Sequence, residues 1–407
     1  MNKLVTLFLL LSFLLSCSNR NNYELYNYQP KQVIDLTDRS GGFEIIDRIK
    51  SIDVLNLEVE DCWIHMRYPR MTISEKGYYF LSDRTYFLIG YSKTGELKFD
   101  KQIKGRGRGE IMDVGNISMK NDTLLIYDRV LGRMLCYTED GDFCSFLNRA
   151  EVKAEKLYKT DDCFFGLSIF CDNEFDDHYC VMYDNEGSCI ENYLSLPSHY
   201  IGYDYNVGYT DMSYLFHDTL RFMLVHDYTL FSLTNNGLES TYRFKSDREM
   251  PVDFFDGMTG IEKMNPEITA KTWAAGFTDY FSELMETDNF IMVNFASDNQ
   301  NQMMLYDKNQ NTYGLLLTPD SFFEESMVSD LTTQDIWRYI MFSFTRLCVY
   351  ENSVYGCAPY SLYYILSKTE SLHDEKIKAF YAQVRGFVET QKIEQGDMFF
   401  FKMVFVE

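Results

Sequence analysis

The chain has 407 residues, of which 38 are Lys or Arg and 61 are Asp or Glu, so its formal net charge at pH 7 is -23. This acidity excludes a protein that binds the phosphate backbone of nucleic acid, because such binding needs clustered cations. Hydrophobic residues make up 46% and aromatic residues 16% of the chain, which excludes a disordered protein, and the excess of Tyr and Phe favours strands over an all-helical fold.

Residues 1–16 have the pattern of a secretory signal peptide. Met-Asn-Lys precedes an apolar run from Leu4 to Leu15, which is too short for a retained membrane-spanning helix. The run ends in Leu-Leu-Ser before Cys17 and resembles the bacterial lipobox, in which cleavage leaves a lipidated cysteine at the mature N-terminus. We therefore predict a lipid anchor on Cys17, with the membrane as its partner, and a tether over residues 17–30. A plain signal peptide followed by an incidental cysteine is the alternative.

The anchor predicts an address as well. Two or three acyl chains hold a protein stably on a bilayer, so we expect the mature chain in the cell envelope, attached to the outer membrane. The residues after Cys17 lack the acidic run that often marks surface export. Both the periplasmic face and the cell surface therefore stay open.

A five-residue pattern recurs through the middle of the chain. In four copies an apolar or aromatic residue precedes a glycine by four positions, with turn-forming residues between them, and two weaker copies lack the glycine. The copies are Tyr91–Gly95, Tyr137–Gly141, Tyr183–Gly187 and Leu233–Gly237, followed by Tyr306–Gln310 and Leu366–Glu370. Glycine tolerates the positive φ of tight turns between antiparallel strands, so each copy indicates a β-meander.

The spacing of the copies predicts the fold. The four glycines lie 46, 46 and 50 residues apart, and a meander repeated every 40–50 residues or so is typical of a β-propeller blade. A β-sandwich has no such regular period. We therefore predict an all-β, six-bladed propeller over residues 31–407.

The C-terminal third adds helices and closes the ring. Apolar residues recur at helical spacing in residues 265–284, 335–345 and 374–388, which predicts short helical insertions in the last two blades. The final segment, from Met398 to Glu407, reads as a strand, and so does Ile52 to Val59. We therefore expect the two ends of the chain to complete one blade together.

Nine cysteines follow Cys17, an odd number that leaves at least one thiol unpaired. Cys180 and Cys189 flank turn-like residues, as do Cys348 and Cys357, so each pair could bridge a hairpin. Direct cross-strand bridges are geometrically demanding, and we favour buried free thiols. No Cys-x-x-Cys spacing indicates a zinc ribbon or a thioredoxin-like site.

Residues 104–128 carry a resemblance to a known family. Lys104–Glu110 reads Lys-Gly-Arg-Gly-Arg-Gly-Glu, and Ile117–Met119 and Leu124–Asp128 follow it. With the lipobox and the C-terminal apolar strand, these residues resemble the six-bladed β-propeller lipoproteins of Gram-negative gut anaerobes, whose ring is similar to that of NHL-repeat proteins. The resemblance is strongest from Met71 to Phe146, although Arg108 stands where the family often has Pro. It implies a fold and an address, and no catalytic residues.

Two groups of residues are candidates for binding a ligand. The glycines of the Lys104–Glu110 segment fail the spacing of the dinucleotide and P-loop motifs, so the segment predicts a connector between blades, in which Arg106 and Arg108 could face an anionic ligand. Tyr203, Tyr205 and Tyr209 belong to a tyrosine-rich stretch that could stack on sugar rings. Packing of these tyrosines on their own blade is the alternative.

The sequence contains no recognisable catalytic constellation. Its six histidines lack metal-binding spacing, and no Gly-x-Ser-x-Gly elbow is present. Asp83, Asp128 and Asp227 recur at one position of the repeat, which indicates turn caps rather than general acids or bases. We therefore predict neither a metal nor a cofactor.

The function predicted from these observations is a binding or scaffold module for a glycan, a peptide or a partner protein. A propeller enzyme, a lyase or hydrolase acting on carbohydrate or peptide at the channel mouth, is one alternative. A structural subunit of an envelope complex is the other. The fold itself does not decide between them.

Overall fold

The computed structural model describes twelve stretches of the chain: 28–37, 42–58, 69–147, 152–167, 178–195, 212–224, 227–251, 254, 266–318, 331–367, 374–391 and 398–406. In these stretches the strands form six sheets of four or five strands each, which are the blades of a ring. The predicted all-β, six-bladed propeller is therefore confirmed.

Two strands precede the blades, and the other strands fill the blades in chain order. The two are β1 (Gln32–Asp35) and β2 (Ile49–Val54). Blades 1 and 2 contain β3 (Arg70–Ile73), β4 (Gly77–Leu81), β5 (Phe87–Ser92), β6 (Leu97–Gln102), β7 (Val114–Lys120), β8 (Thr123–Asp128), β9 (Arg133–Thr138) and β10 (Phe143–Phe146). Blades 3 and 4 contain β11 (Lys156–Lys159), β12 (Phe164–Leu167), β13 (His178–Tyr183), β14 (Cys189–Ser195), β15 (Ser213–Phe216), β16 (Thr219–Met223), β17 (Thr229–Thr234) and β18 (Gly237–Lys245). Blades 5 and 6 contain β19 (Asp279–Glu286), β20 (Phe290–Ser297), β21 (Gln300–Asp307), β22 (Thr312–Leu317), β23 (Thr345–Tyr350), β24 (Ser353–Pro359) and β25 (Met398–Phe405).

The first strand of every blade faces the centre of the ring. Each blade is an antiparallel meander in which this strand lies at one edge of the sheet. First strands of neighbouring blades contact one another, as β3 does with β7 and β23. These strands therefore form the wall of a central channel.

The two ends of the chain meet in blade 6, as predicted. Strand β2 pairs antiparallel with β25, with Val54 opposite Phe401, and it forms the outer edge of the sheet. The strand runs over Ile49–Val54 rather than Ile52–Val59. Strand β1 adds a parallel fifth strand to blade 4, with Val33 opposite Arg243, which the sequence analysis did not predict.

Four copies of the repeat form the turns between third and fourth strands. Gly95, Gly141 and Gly187 adopt φ values of 90°, 77° and 91°, and Gly237 one of 115°. After the fifth copy, Tyr306–Gln310, which lacks the glycine, the next residue Asn311 takes the positive φ of 53°. The sixth copy was wrong: its first residue ends a helix, because the third strand of blade 6 comes from the C-terminus instead.

The helices lie mostly in the C-terminal part of the chain, as predicted. They are α1 (Ile45–Arg48), α2 (Pro266–Ala274), α3 (Thr333–Ser343), α4 (Ser361–Leu366) and α5 (Glu375–Gln391). The predictions for residues 335–345 and 374–388 are confirmed by α3 and α5. Helix α3 begins in a capping box, in which the Thr332 side chain accepts from the Asp335 N–H and the Asp335 side chain accepts from the Thr332 N–H.

The helix predicted over residues 265–284 was wrong in its second half. Helix α2 ends at Ala274, and the rest belongs to β19, the first strand of blade 5. The pairing of β19 with β20 is irregular at two places along the strand. These irregularities break the alternation of a regular strand, so the buried residues Phe281 and Leu284 lie three apart, as on a helix.

Blade 6, its helices and blades 5 and 1 share the largest apolar core of the described residues. Trp337 on α3 is 1% exposed, and its indole Nε1–H donates to Asp374 at 3.0 Å. The rings of Phe80 in blade 1 and Phe400 in blade 6 lie 4.5 Å apart between centroids. The last blade is thus packed against the first, which keeps the ring closed.

The seven described cysteines all carry free thiols. The hairpin register places Cys180 opposite Tyr193 and Cys348 opposite Tyr355, so neither suggested pair faces its partner. The prediction of free thiols is confirmed for these seven, whereas their burial was wrong for Cys144 and Cys189, which are exposed. Cys17 lies outside the described residues, together with Cys62 and Cys171.

Candidate functional site

A cavity of about 520 Å³ occupies the channel at the centre of the ring. Its lining residues come from the first strands of all six blades and from the turns that follow them, from Arg70 in blade 1 to Tyr350 in blade 6. Small-molecule sites in proteins typically measure about 300–1,000 Å³. The channel is therefore the candidate site.

The two rims of the channel differ in structure. We name the rim at which the first strands begin the upper rim, and the rim at which they end the lower rim. Connectors between blades reach the upper rim, whereas the turns between first and second strands form the lower rim. Each lower-rim turn carries at least one carboxylate: Glu75, Asp122, Asp161, Asp162, Asp218, Asp288 and Glu351.

Basic side chains neutralise part of the lower rim. Lys120 bridges blades, with its Nζ 2.8 Å from Asp161 and in an ion pair with Asp218. These contacts raise the pKa of Lys120 against the opposing effect of burial, the largest single influence. Lys76 lies 3.1 Å from Asp122. The described turns of this rim nevertheless carry more carboxylates than cations.

The middle of the channel wall is largely apolar. Ile117, Met119, Leu215 and Val349 line the cavity, and each is half-buried. The Ser118 hydroxyl lies among them, buried and without a hydrogen-bond partner in the described part of the chain. An apolar wall with a few polar groups is the usual composition of a ligand site.

Arg70 lies at the upper rim, and its guanidinium is bonded to other residues of the protein. Its Nε lies 2.9 Å from the Asp83 carboxylate, and its Nη1 donates to the Gly115 carbonyl at 2.7 Å. The side chain therefore connects blades 1 and 2. Its charge is used for structure.

Arg346 has a different environment. It lines the cavity from strand β23, where the irregular pairing between Thr345 and Cys348 gives Arg346 a φ of 55°. Its guanidinium has no hydrogen bond or ion pair with any residue that the structure describes. The neighbouring strand β19 contributes Glu283, whose Oε2 accepts from the Leu347 N–H at 3.3 Å.

Glu75 lines the same cavity at the lower rim. Its carboxylate is exposed and is not paired with a described residue. It lies near Tyr350, the last residue of β23: burial raises the pKa of Tyr350 to about 12, and the charges of Glu351 and Glu75 add to the rise. The cavity thus holds an unpaired cation and an unpaired anion among its described residues.

The glycine-rich segment is a connector between blades, as predicted. Gly105 and Gly109 have φ values of 153° and 81°, and the Gly107 N–H donates to Glu110 at 2.7 Å. The φ of Gly105 is one that residues with a Cβ rarely adopt, so glycine is favoured there. The loop is held by its own residues.

The predicted ligand residues do not come together in the described part of the chain. Arg106 and Arg108 are exposed on the upper-rim connector and do not line the cavity. Tyr203, Tyr205 and Tyr209 lie outside the described residues, as does Cys17. Arg346 and Glu75 were missed, although a charged residue inside an apolar first strand was a usable signal for Arg346.

The repeated aspartates are structural. Asp128 accepts backbone N–H bonds from Val130 and Leu131, and Asp227 accepts one from Thr229 at 2.7 Å. Asp83 holds the upper-rim arginine. No group of three His, Cys, Asp or Glu within the described stretches is placed to hold a metal ion.

None of the helices in the described stretches has the length and hydrophobicity needed to cross a membrane.

Comparison with known proteins places this geometry in a family. Residues 21–334 match the family DUF5128, described as "6-bladed beta-propeller". No curated protein matches the sequence significantly. Among solved structures, an exported protein from Bacteroides fragilis has a TM-score of 0.67 and 14% identity, over 92% of this chain and 100% of that chain.

Two further solved structures are more distant. A member of the DUF4221 family from Bacteroides vulgatus has a TM-score of 0.46 and 9% identity, over 88% of this chain and 99% of that one. Virginiamycin B lyase from Staphylococcus aureus has a TM-score of 0.35 and 12% identity, over 66% and 74%. The 14% identity to the exported protein, at a TM-score of 0.67, indicates a shared fold and not a shared activity.

Proposed function

Because the chain belongs to the DUF5128 family of six-bladed β-propellers and its ring encloses a cavity of about 520 Å³, we propose that it is a ligand-binding module whose site is the central channel. The proposal rests on one observation: the first strands of all six blades contribute residues to the cavity wall. A ligand there touches every blade. It would therefore stabilise the closed ring as a whole.

The chemistry of the wall favours a ligand with both apolar and polar parts. Apolar side chains occupy the middle of the cavity, and four charged side chains and seven side-chain hydroxyl groups line it as well. Such sites orient a ligand by its polar ends and bind it through its apolar body. A short peptide or a small glycan meets this description.

We also propose that the module works at the cell envelope, held on the outer membrane through Cys17. The signal-like residues 1–16 and the lipobox-like end support this address. The tether joins the ring at β1, on the outer edge of blade 4, where the first described strand begins at Gln32. Fifteen residues from Cys17 reach at most about 50 Å when extended, so the ring would stay close to the bilayer.

The test uses the soluble chain from Ser18 onward and a panel of glycans and short peptides. A ligand at 100 times its Kd stabilises the folded state by about 2.7 kcal/mol, which raises the midpoint of thermal unfolding. We expect the rise in the wild-type protein and its loss in either of two channel-filling variants, Val349→Trp and Leu215→Trp.

The matched control is Val33→Trp, since Val33 is 51% exposed on β1, outside the channel. This variant should keep the full response. A ligand that still raises the midpoint of both channel-filling variants would show that the site lies elsewhere. A panel without any response would contradict the small-ligand role and favour a protein partner.

The anchor has its own test in the native host. Full-length protein should partition with membranes and incorporate labelled palmitate, whereas Cys17→Ser should do neither. Recovery of Cys17→Ser in the membrane fraction at the wild-type level would overturn the proposed anchor.

A further inference from the structure

We infer that the channel binds a short peptide with free ends, whose carboxylate pairs with Arg346 and whose amino group lies at Glu75. The inference rests on the proposed function, because it names the ligand of that same site. It is drawn from the placement of two unpaired charges at different depths of one cavity.

Arg346 is suited to receive a carboxylate. A guanidinium presents a planar pair of donors that matches the two oxygens of a carboxylate. Arg70, the other arginine on the wall, already holds Asp83 and the Gly115 carbonyl. On the adjacent strand, the Glu283 carboxylate accepts a hydrogen bond from the Leu347 N–H. Arg346 therefore lines the cavity with its donors unused by the described residues.

The backbone at Arg346 supports the same assignment. A φ of 55° is unfavourable for a residue with a Cβ, and here it occurs in a strand on the channel wall. Such conformations persist where the surroundings enforce them, and they cluster at binding and catalytic sites. The bulge between Thr345 and Cys348 changes the backbone direction at Arg346 from that of a regular strand.

Glu75 is suited to receive an ammonium group. Of the two carboxylates that line the cavity at the lower rim, Asp122 lies 3.1 Å from Lys76. Glu75 has no such partner among the described residues. A cationic group entering from the acidic lower rim would meet this carboxylate first.

The separation of the two charges sets the length of the peptide. Four residue steps along β23 separate Arg346 from Tyr350, or about 13 Å at 3.3 Å per residue, and somewhat less because of the bulge. Tyr350 shares the lower rim with Glu75. An extended chain spans about 3.3–3.6 Å per residue, so three or four residues fit between the charges.

The wall between the charges suits the body of such a peptide. Ile117, Met119, Leu215 and Val349 offer apolar surface for its side chains. A neutral glycan would leave both charges unpaired, and a fatty acid would leave the carboxylate of Glu75 unpaired.

The experiment compares three pools of tripeptides built from Ala, Val, Leu, Met and Phe. One pool has free ends, one is N-acetylated and one is C-amidated. Native mass spectrometry of the soluble chain from Ser18 reports the bound fraction of each pool at matched concentration. We expect the free-ended pool to bind and each blocked pool to bind at least tenfold more weakly.

Two variants assign the ends. Arg346→Gln should weaken binding of the free-ended pool at least tenfold and remove the preference for free-ended over amidated peptides. Glu75→Gln should remove the preference over acetylated peptides only. Arg106→Gln, on the exposed connector, and Glu267→Gln, on α2, are the matched controls and should behave as wild type.

The outcomes separate this inference from the proposed function. If blocked and free-ended pools bind equally, or if Arg346→Gln keeps its preference for free carboxylates, the inference is wrong while the channel remains a binding site. A second outcome is that no peptide pool binds, while a glycan raises the unfolding midpoint of the wild-type protein but not of Val349→Trp or Leu215→Trp. In that case the peptide inference is wrong and the proposed binding function stands. If nothing binds in the channel, both fail.

Discussion

Asn116 in blade 2 pairs with the backbone of Leu157 in blade 3 through both ends of its side-chain amide. Its Nδ2 donates to the Leu157 carbonyl and its Oδ1 accepts from the Leu157 N–H, each at 2.9 Å. Neighbouring blades are separate sheets, so these buried backbone groups find their partner in a side chain. Asn116 thereby links two blades beside the channel.

Replacing Asn116 should destabilise the ring. Asn116→Leu leaves the N–H and the carbonyl of Leu157 buried without partners, and each unpaired group costs about 1–3 kcal/mol. We expect a loss of roughly 2–4 kcal/mol in the free energy of unfolding, measured by denaturant titration. Asn301→Leu is the control, because Asn301 is exposed on β21. Equal stability of the two variants would contradict the role of the amide.

Two aspartates at one repeat position should respond oppositely to the same substitution. Asp128 accepts three backbone N–H bonds through both oxygens, from Met112, Val130 and Leu131. Asn supplies only one acceptor oxygen, so Asp128→Asn loses at least one bond and should cost about 1–3 kcal/mol of unfolding free energy. An unchanged denaturation midpoint for Asp128→Asn would contradict this account.

Asp227→Asn should instead stabilise the protein at neutral pH. Burial raises the pKa of Asp227 above 3.8, and the bond that its carboxylate accepts from the Thr229 N–H uses a single oxygen, which Asn retains. Because its folded-state pKa is raised, Asp227 stabilises the folded protein below pH 3.8. This contribution is lost as the pH rises through the folded-state pKa. Thermal unfolding from pH 4 to 7 should therefore favour Asp227→Asn increasingly with pH. A constant difference would contradict the titration.

The sequence predicts those parts of the ring that depend on neighbouring residues. The Tyr91–Gly95 turn and its copies are local, so their period was visible along the chain. The closure by β2 and β25 was predictable because both ends read as strands and a ring needs a closing blade. Strand β1 could not be predicted in the same way, because a parallel edge strand is not joined to its neighbour by a hairpin turn that the sequence would show.

The candidate site needed the three-dimensional ring. Arg346 and Glu75 are 271 residues apart and line one cavity only because blade 6 closes against blade 1. The bulge that presents Arg346 has no sequence signature that could be recognised in advance. The bulges in β19 even produced a helix-like spacing of the buried residues Phe281 and Leu284, which led to the wrong helix prediction for this strand.

The closing strand should carry much of the stability of the ring. Ile49 on β2 is fully buried in the core shared by blades 5, 6 and 1. Ile49→Ala removes buried methylene and methyl groups, which typically costs about 2–5 kcal/mol. The neighbouring Lys50 is exposed, so Lys50→Ala is the matched control. Denaturant midpoints should fall for the first and stay for the second, and similar midpoints would contradict a closing role for β2.

The free thiols should differ sharply in reactivity. Cys144 is exposed on β10, whereas Cys357 is buried. Cys348 lines the channel, but burial raises its pKa to about 12, as it does for Cys357. Because the thiolate is the reactive form, iodoacetamide at pH 8 should modify Cys144 in the native protein and leave Cys348 unmodified despite its place at the cavity.

Peptide mapping by mass spectrometry reads out each site separately. After denaturation without reductant, Cys348 and Cys357 should both become alkylated, since neither is bonded to another sulfur. The variant Cys144→Ser provides the control for labelling of the exposed site. Native labelling of Cys348 at the rate of Cys144 would contradict its raised pKa, and a Cys348–Cys357 disulfide peptide would contradict the register of the β23–β24 hairpin.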